Sequence, residues 1–367
     1  MQEPIDIAGL TSPELVAAAR AHVPRGHGAA RALYREAFAL GEFEPERHGL
    51  SAEASQAWRS RFCLGAPEVV RVVREGEGEA MTAKIVLRLQ DGLECESVLL
   101  PMGRDRTTLC ISSQVGCKMG CTFCETGRMG LLRNLSAAEI VAQLLAARSP
   151  RGLGARFRNL VFMGMGEALD NFDAVQQALR VVTDPAGLSI AQERITICTV
   201  GHAAGIRRLA QANWKRLNLS VSLNAPEDAL RAQLMPIARK VPLEELQQAL
   251  AAYRPRRNFA LGVNYCLLPG INDAHEHARG VARFCAPLER VMVNVIPYNP
   301  GHAPLARKPT EEEIDRFIGW LRDEGLPVRR RITKGQSVMA ACGQLGNVEL
   351  RRSRRAAGAR PPAAENA

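Results

Sequence analysis

The sequence predicts an α/β fold with a parallel sheet, preceded by a helical region and a β-hairpin. Two observations support this fold class. From Thr108 onward, runs with strand alternation and runs with helical apolar spacing follow one another along the chain. Polar and glycine-rich segments come directly after those strands, which is where α/β barrels build their active sites. We therefore expect an enzyme whose sheet is either open or closed into a barrel.

The composition is that of a globular protein with a positive net charge. Apolar residues make up 46% of the 367 residues, and 48 Lys and Arg against 38 Asp and Glu give +10. No apolar run approaches the roughly eighteen residues of a membrane span, and the acidic N-terminus lacks a signal-peptide core. These features predict a cytoplasmic protein without a membrane partner. A polyanionic partner and a general preference for Arg explain the charge equally well.

Residues 1–75 are predicted to form a helical region because three segments carry helical apolar spacing. The predicted helices are Pro13–Ala21, Gly28–Ala39 and Ala52–Arg61. A hairpin extension over residues 76–106 follows, in which Ala83–Leu89 and Glu94–Leu100 alternate on either side of an Asp-Gly turn. The helical region is expected to serve as an accessory domain.

Residues 107–346 are predicted to form the α/β core. The predicted strands are Thr108–Ser112, Asn159–Met163, Arg194–Val200, Leu217–Leu223, Leu261–Leu267, Val291–Ile296 and Val328–Ile332. The predicted helices are Ala137–Ala147, Phe172–Val182, Ala203–Ala212, Leu243–Tyr253, Asp273–Cys285 and Glu311–Glu324. Ser136 and Glu139 match a capping box at the start of the first of these helices. The tail, residues 347–367, is basic and rich in Ala and Pro and is expected to be disordered.

Four of the ten cysteines crowd into fifteen residues, and three of them have the spacing C-x3-C-x2-C. These three, Cys117, Cys121 and Cys124, form a triple that chance rarely produces. Three thiolates on one short loop can bind three irons of a [4Fe–4S] cluster and leave the fourth iron open. The alternative is a structural zinc site, which favours four closed ligands, often in C-x2-C pairs. No second pair follows in the sequence, so an iron–sulfur cluster is favoured.

Three further motifs extend the cysteine loop into a resemblance to a known family. They are the segments Cys110–Cys117 (CISSQVGC), Met163–Glu167 (MGMGE) and Ala340–Leu345 (AACGQL). With the loop, they resemble the RlmN/Cfr family of RNA adenosine methyltransferases in the radical S-adenosylmethionine (SAM) superfamily. The resemblance runs from about residue 30 to residue 346. It implies a partial (α/β) barrel with an N-terminal helical domain, one [4Fe–4S] cluster, and SAM as the cofactor.

The resemblance also implies a route for methylating an adenine carbon, which is not nucleophilic. One SAM methylates Cys342, and a radical made from a second SAM removes hydrogen from that methyl group. The resulting methylene radical adds to the adenine carbon and joins protein and RNA covalently. Cys110 matches the thiol that releases the product by forming a disulfide with Cys342. Glu96 matches the base that takes the ring proton.

Cofactor contacts are implied at the ends of the strands. Gly164 and Gly166 would let the backbone approach the amino acid part of SAM, and Glu167 could bind its ammonium group. Further positions that match cofactor contacts of the family are Cys198, Ser222, Leu223, Asn224 and Asn299. Two of them depart from the family pattern, since Cys198 and Asn224 stand where Ser and His are usual.

The substrate implied by the resemblance is 23S rRNA, with tRNA as a second candidate. Carbon 2 of adenine is favoured as the target, while Glu167-Ala168-Leu169 and residues 267–273 lean toward the pattern of enzymes that methylate carbon 8. Residues 1–75 would then dock the RNA. An electron donor such as flavodoxin or ferredoxin and a monomeric state are also expected. The alternatives are a radical SAM enzyme that acts on another substrate and a non-catalytic, zinc-bearing RNA-binding protein.

Overall fold

The N-terminal part of the chain is helical as far as residue 61. The computed structural model of the protein describes residues 3–103, 106–150 and 152–347. The first elements are β1 (Ile5–Asp6), α1 (Ser12–His22), α2 (Ala30–Leu40), α3 (Ala52–Arg61) and β2 (Phe62–Cys63). β1 and β2 pair in parallel, and the helices bury Leu15, Tyr34 and Trp58 against each other and the core. All three predicted helices of this region are therefore confirmed.

An antiparallel extension follows and contains one strand that the sequence analysis placed in the helical region. Its strands are β3 (Glu68–Glu75), β4 (Thr82–Arg88) and β5 (Glu94–Pro101). The hairpin β4–β5 is confirmed, whereas the helical expectation for residues 68–75 is wrong. β3 lies at the edge of the sheet, where none of its residues is fully buried. Such a strand needs no alternating apolar face, so its pattern gave no strand signal.

The rest of the chain alternates between strands and helices. The strands are β6 (Thr107–Cys110), β7 (Gln114–Gly116), β8 (Leu131–Asn134), β9 (Asn159–Phe162), β10 (Ile195–Thr199), β11 (Asn218–Ser222), β12 (Leu261–Leu267), β13 (Val291–Pro297) and β14 (Val328–Arg330). The helices are α4 (Glu125–Met129), α5 (Ala137–Arg148), α6 (Phe172–Thr183), α7 (Ala203–Gln211), α8 (Asp228–Leu234), α9 (Leu243–Ala252), α10 (His275–Cys285) and α11 (Glu311–Asp323). Every strand and helix predicted for this region is present, with ends that differ by at most two residues. The short elements β7, β8, α4 and α8 were not predicted, because three to seven residues show no clear periodicity.

A single ten-stranded sheet organises the molecule, in the order β14-β13-β12-β11-β10-β9-β6-β5-β4-β3. The strands from β6 to β14 in this order are parallel, and β5, β4 and β3 continue the sheet in antiparallel fashion. Within the described residues β14 pairs only with β13, so the sheet stays open, as a partial barrel requires. Because the parallel strands share one direction, the loops after them gather at one edge.

The capping box at the start of α5 is present, with Ser136 accepting from the backbone N–H of Glu139. Thr310 and Glu313 form an equivalent box at the start of α11. No helix among the described residues is long and apolar enough to cross a membrane. The predicted disordered tail, apart from Asn347, lies outside the described residues.

Gln143, buried on α5, connects three elements through its side-chain amide. Its Oε1 accepts from the Ser97 hydroxyl at 2.7 Å and from the Ser112 backbone N–H at 2.8 Å, while its Nε2 donates to the Ser112 carbonyl at 2.9 Å. The Ser112 hydroxyl in turn donates to the Glu96 carbonyl and accepts from the Met165 N–H at 2.8 Å. The network therefore fixes α5, β5 and the loop after β9 in one arrangement.

We predict that Gln143→Leu lowers the free energy of unfolding by about 1–3 kcal/mol, because it leaves the buried N–H of Ser112 without an acceptor. Denaturant unfolding of the cluster-free protein measures this change. Gln248→Leu, at an exposed position of α9, is the control and should stay within about 0.5 kcal/mol of the parent. Equal effects of the two substitutions would contradict the structural role of the amide.

Candidate active site

The three cysteines of the C-x3-C-x2-C motif lie on the loop between β7 and α4. Cys117 and Cys121 are buried and Cys124 is half-buried. The loop is attached on both sides: the N–H of Cys117 donates to the Gly130 carbonyl at 3.1 Å, and the N–H of Thr122 donates to the Leu234 carbonyl at 2.9 Å. The apolar side chains packed around it are Met119, Leu234, Met235, Leu268 and Tyr298. The chain thus folds the three thiols into one apolar patch.

Burial raises the pKa of all three thiols, to about 12 for Cys117, and the neighbouring cysteines raise the pKa of Cys117 and Cys121 further. Thiolates in this patch are therefore unstable without a positively charged group beside them. No three His, Cys, Asp or Glu side chains in the described parts of the chain converge on a single metal ion. The assignment of the metal centre consequently rests on the residue types of the loop and on its place in the fold.

The glycine-rich turn after β9 lies against the segment after β6. A Cβ at Gly164 would come within 2.6 Å of the Ile111 carbonyl oxygen, and one at Gly166, whose φ is +98°, within 2.6 Å of the Gln114 Cβ. Between them, the Met165 carbonyl accepts from the backbone N–H of Ser113 at 2.8 Å. Both glycines are therefore required by close backbone approach and not only by the turn.

Glu167, which ends this turn, is buried with its carboxylate held by backbone donors. The N–H of Leu169 donates to Oε1 at 3.1 Å and the N–H of Val200 donates to Oε2 at 2.8 Å. Burial nevertheless raises the pKa of Glu167 to about 7, and these hydrogen bonds oppose the shift. Among the described residues no cation is ion-paired with it, so its charge can be offered to a positively charged ligand.

A cavity of about 170 Å³ opens between the cysteine loop, the turn and the ends of the next strands. The predicted site residues that line it are Cys121, Cys124, Gly164, Gly166, Glu167, Cys198, Ser222, Asn224 and Cys342. The structure thus brings together residues that are up to 221 positions apart in the sequence. Two predicted cofactor positions, Leu223 and Asn299, lie beside the cavity and do not line it.

A row of polar side chains crosses the wall of this cavity. Asn294 donates to the Oδ1 of Asn264 at 3.0 Å, Asn264 donates to the Cys198 sulfur at 3.3 Å, and that sulfur lies 3.7 Å from the Ser222 hydroxyl. Asn264 and Cys266 line the cavity but were missed by the sequence analysis. Their positions on β12 match the inward alternation of a strand, a signal that could have identified them.

Cys342 lies on the C-terminal loop, with its side chain exposed to the cavity. Asn299 donates to its carbonyl at 3.4 Å, while the carbonyl of Gly343 accepts from the N–H of Glu125 at 2.8 Å. The side chain of Gln344 donates to the Pro300 carbonyl at 2.8 Å. These contacts attach the loop that carries the Cys342 thiol to the start of α4 and to the segment after β13.

Cys110 ends β6, where it is buried opposite Val98 of β5. Burial raises the pKa of this thiol, and the nearby Cys342 raises it further. All ten cysteines are free thiols in the structure, so the disulfide expected between Cys110 and Cys342 is not formed in this state. Cys110 lies behind the wall of the cavity and does not line it.

Glu96 is buried on β5 and contacts the C-terminal loop. Its Oε1 lies 3.5 Å from the Nζ of Lys84, and its Oε2 accepts from the N–H of Gly346 at 3.1 Å. The same Lys84 donates to the carbonyl of Met339 at 3.0 Å. The predicted base therefore also holds the segment that carries Cys342, and it does not line the cavity.

Comparisons with known proteins agree with this geometry. The radical SAM superfamily profile matches residues 111–281. A probable dual-specificity RNA methyltransferase RlmN 1 from Protochlamydia amoebophila is 41% identical over 353 residues, which cover 96% of each chain. The chain belongs to the RlmN family of radical SAM enzymes. A second relative, the dual-specificity RNA methyltransferase RlmN from Syntrophotalea carbinolica, is 41% identical and covers 81% of this chain and 76% of its own.

A solved structure supports the same membership. A radical SAM methyltransferase from Sphaerobacter thermophilus is 37% identical, superposes with a TM-score of 0.85, and covers 93% of this chain and 99% of its own. The fold expected from the sequence is confirmed. Membership in the radical SAM superfamily implies a [4Fe–4S] cluster and SAM as cofactors.

The residues of this chain fit both implied cofactors, the [4Fe–4S] cluster and SAM. Cys117, Cys121 and Cys124 would hold the cluster, and their buried thiols gain from a positively charged iron centre. Beside the cavity, the Oδ1 of Asn299 is buried and has no hydrogen-bond partner in the described part of the chain, which leaves an acceptor for a ligand group. Glu167 adds a carboxylate without an ion-pair partner among the described residues.

We predict that Gly164→Ala weakens SAM binding at least tenfold and lowers the free energy of unfolding by about 1–3 kcal/mol, since the new methyl group displaces the turn from Ile111. Equilibrium dialysis with labelled SAM and denaturant unfolding measure the two effects. Gly319→Ala is the control, because a Cβ at this position of α11 would meet open space. Alanine in place of glycine stabilises a helix by about 0.5–1 kcal/mol. SAM binding by Gly164→Ala at the strength of the parent would refute the role of the turn.

Proposed function

We propose that the protein methylates carbon 2 of adenosine in 23S rRNA, and in tRNA, through a methyl group carried on Cys342. The observation that supports this most is the position of Cys342, which faces the cavity lined by Cys121, Cys124 and Glu167. A methyl group on this thiol would lie beside the place where the family binds its cluster and SAM. Methylated Cys342 and radical chemistry thus share one cavity.

The bound cluster and SAM would supply a carbon radical that removes hydrogen from the methyl group, and two SAM molecules would be used in each turnover. This chain's own residues supply the remaining steps. Cys342 carries the carbon that joins the adenine ring; the radical adduct then gives up one electron, for which the oxidised cluster would be the acceptor, and Glu96 takes the ring proton. Cys110 then attacks the sulfur of Cys342 and the sulfur–carbon bond breaks. The released carbon takes up a proton to become the methyl group of the base, and a disulfide remains for an external reductant to open.

Nucleoside mass spectrometry of rRNA and tRNA tests this function, in a bacterial host that lacks its own adenosine C2-methylase. We expect 2-methyladenosine to appear when this chain is expressed and to be absent with Cys342→Ala. If 8-methyladenosine appears instead, the C2 assignment is wrong and the chain acts on carbon 8, which Ala168 and residues 267–273 favour. Loss of both products from a protein that still cleaves SAM would refute an RNA substrate.

A second prediction concerns Cys110. Cys110→Ala should trap a covalent adduct between the protein and RNA through Cys342, because no thiol remains in the matching position to release the base. Denaturing gel electrophoresis with labelled RNA detects the adduct as a slowly migrating band. Cys63→Ala, a change at a half-buried thiol beside β1, is the matched control and should turn over normally. A Cys110→Ala enzyme that releases methylated RNA would contradict the resolving role.

The N-terminal region offers a surface for docking RNA. Arg20 of α1 and Arg31 and Arg35 of α2 line a groove with Asp184 and neighbouring residues. All three arginines are exposed, and none has an ion-pair partner within the described residues. Exposed arginines of this kind can bind the phosphates of a folded RNA, and the target base would then be flipped toward the cavity. We therefore propose that residues 1–75 dock the RNA through this groove.

Replacing Arg20, Arg31 and Arg35 together by Gln should weaken RNA binding. If each contacts one phosphate, the slope of log K against log salt should fall by about 2. Filter binding between about 50 and 200 mM salt measures the slope. The control removes the same charge from three exposed arginines on the helices of the core, namely Arg207, Arg279 and Arg316. An equal loss in both triple variants would show that the groove has no special role.

The remaining features follow from the reaction. The cluster must be reduced by one electron at a time, so we propose a low-potential donor such as flavodoxin or ferredoxin. Ribosomal RNA as substrate places the enzyme in the cytoplasm.

A further inference from the structure

Arg231 of α8 is a buried cation that the proposed chemistry does not use. Only 1% of its surface is exposed. Its Nη2 donates to the Val200 carbonyl at 2.6 Å and its Nη1 to the Val241 carbonyl at 3.4 Å, while its buried Nε has no hydrogen-bond partner among the residues that the structure describes. No carboxylate forms an ion pair with it in the described ranges. Burial lowers the pKa of Arg231 to about 10, which still leaves it charged at neutral pH.

A buried charge without a counter-charge is energetically unfavourable, so we expect a negatively charged group near the Arg231 guanidinium. The nearest carboxylate on its own helix is Asp228, which is exposed and accepts a hydrogen bond from the N–H of Leu243 at 2.8 Å. Asp228 is thus a partial counter-charge, screened by water. The end of α8 packs against a second source of negative charge.

That second source is the cysteine loop. Leu234 and Met235, one turn after Arg231, pack in the same apolar cluster as Cys117 and Cys121. The Leu234 carbonyl accepts from both the N–H and the hydroxyl of Thr122, which lies between two of the cysteines. Val200, whose carbonyl accepts from Arg231, lines the same cavity as Cys121. The helix therefore presents a cation to the loop through an apolar medium of low dielectric constant.

The backbone around Arg231 makes room for this arrangement. A Cβ at Gly201 would lie 2.8 Å from Nη2, and the φ of this residue is +102°. The preceding residue, Val200, gives its carbonyl to Arg231 and its N–H to the carboxylate of Glu167. The guanidinium is consequently fixed to the backbone residue that also holds the carboxylate of Glu167.

We propose that Arg231 is the buried counter-charge of the iron–sulfur site and raises the reduction potential of the cluster held by Cys117, Cys121 and Cys124. This inference rests on the cluster of the proposed function. Reduction of the cluster adds one electron from an external low-potential donor and makes the centre more negative. A fixed cation nearby stabilises the reduced form more than the oxidised form, which makes electron uptake easier.

The test is a redox titration of the reconstituted cluster, followed by electron paramagnetic resonance, with dithionite as the reductant. In Arg231→Gln the ratio of reduced to oxidised cluster at a fixed solution potential should fall about tenfold, which equals about 59 mV for a one-electron couple. Arg231→Lys keeps the charge and should stay within about threefold of the parent. Iron content is measured for every variant, so that only loaded proteins are compared.

Two further variants separate charge from scaffolding. Asp228→Asn, at an exposed position, removes the partial counter-charge and should shift the ratio in the opposite direction, by about twofold. Arg256→Gln is the control, because it also loses a hydrogen bond from an arginine to a backbone carbonyl, that of Leu217. Arg256 lies before β12, at the edge of the sheet where the parallel strands begin, so the ratio should stay unchanged. Asp228→Asn keeps the proposal testable if Arg231→Gln does not fold.

The outcomes decide between the proposals. A loaded Arg231→Gln protein with the potential of the parent would overturn the counter-charge role, as would a shift of the same sign in Asp228→Asn. A purely structural arginine would lower stability in both the Lys and the Gln variants and leave the potential unchanged. If the parent itself holds no iron–sulfur cluster, the proposed function fails and not this inference alone.

Discussion

The position of Cys342 depends on hydrogen bonds between the C-terminal loop and the first turn after the cysteine motif. The N–H of Glu125 donates to the Gly343 carbonyl at 2.8 Å, and the Thr126 hydroxyl donates to the Leu345 carbonyl at 2.6 Å. Thr126 and Leu345 are 219 residues apart in the chain. Because Glu125 directly follows Cys124, the loop that would hold the cluster and the thiol that would carry the methyl group share one scaffold. A shift of either loop therefore moves both reactive parts together.

The antiparallel extension secures the same loop from the other side. The carboxylate of Glu75 accepts from the N–H groups of Gly335 and Ser337, and Lys84 and Glu96 contact Met339 and Gly346. β3, β4 and β5 thus act as a clamp that joins the N-terminal third of the chain to its end. Closing so long a loop is entropically unfavourable, and several polar contacts, most of them part-buried, offset that loss.

The local parts of the site could be predicted from sequence, and the long-range parts could not. Cys117, Cys121 and Cys124 lie within eight residues, and strands such as Leu261–Leu267 show their alternation directly. Gln143 and Arg231 show no such local pattern, because their hydrogen-bond partners are distant in sequence. The partners lie 31 to 46 positions away for Gln143 and 10 to 31 positions away for Arg231. The edge strand β3 was not predicted because it buries no side chain fully, so its sequence shows no alternation between apolar and polar residues.

Glu96 shows why the two roles assigned to one carboxylate are compatible. As a clamp it accepts from the N–H of Gly346 at 3.1 Å, and its other oxygen lies 3.5 Å from the Nζ of Lys84. As the proposed base it would take the ring proton, and a protonated carboxyl group attracts Lys84 and the N–H of Gly346 less strongly than a carboxylate does. Under the proposed mechanism the hold on the segment around Cys342 would then weaken at the step in which product leaves.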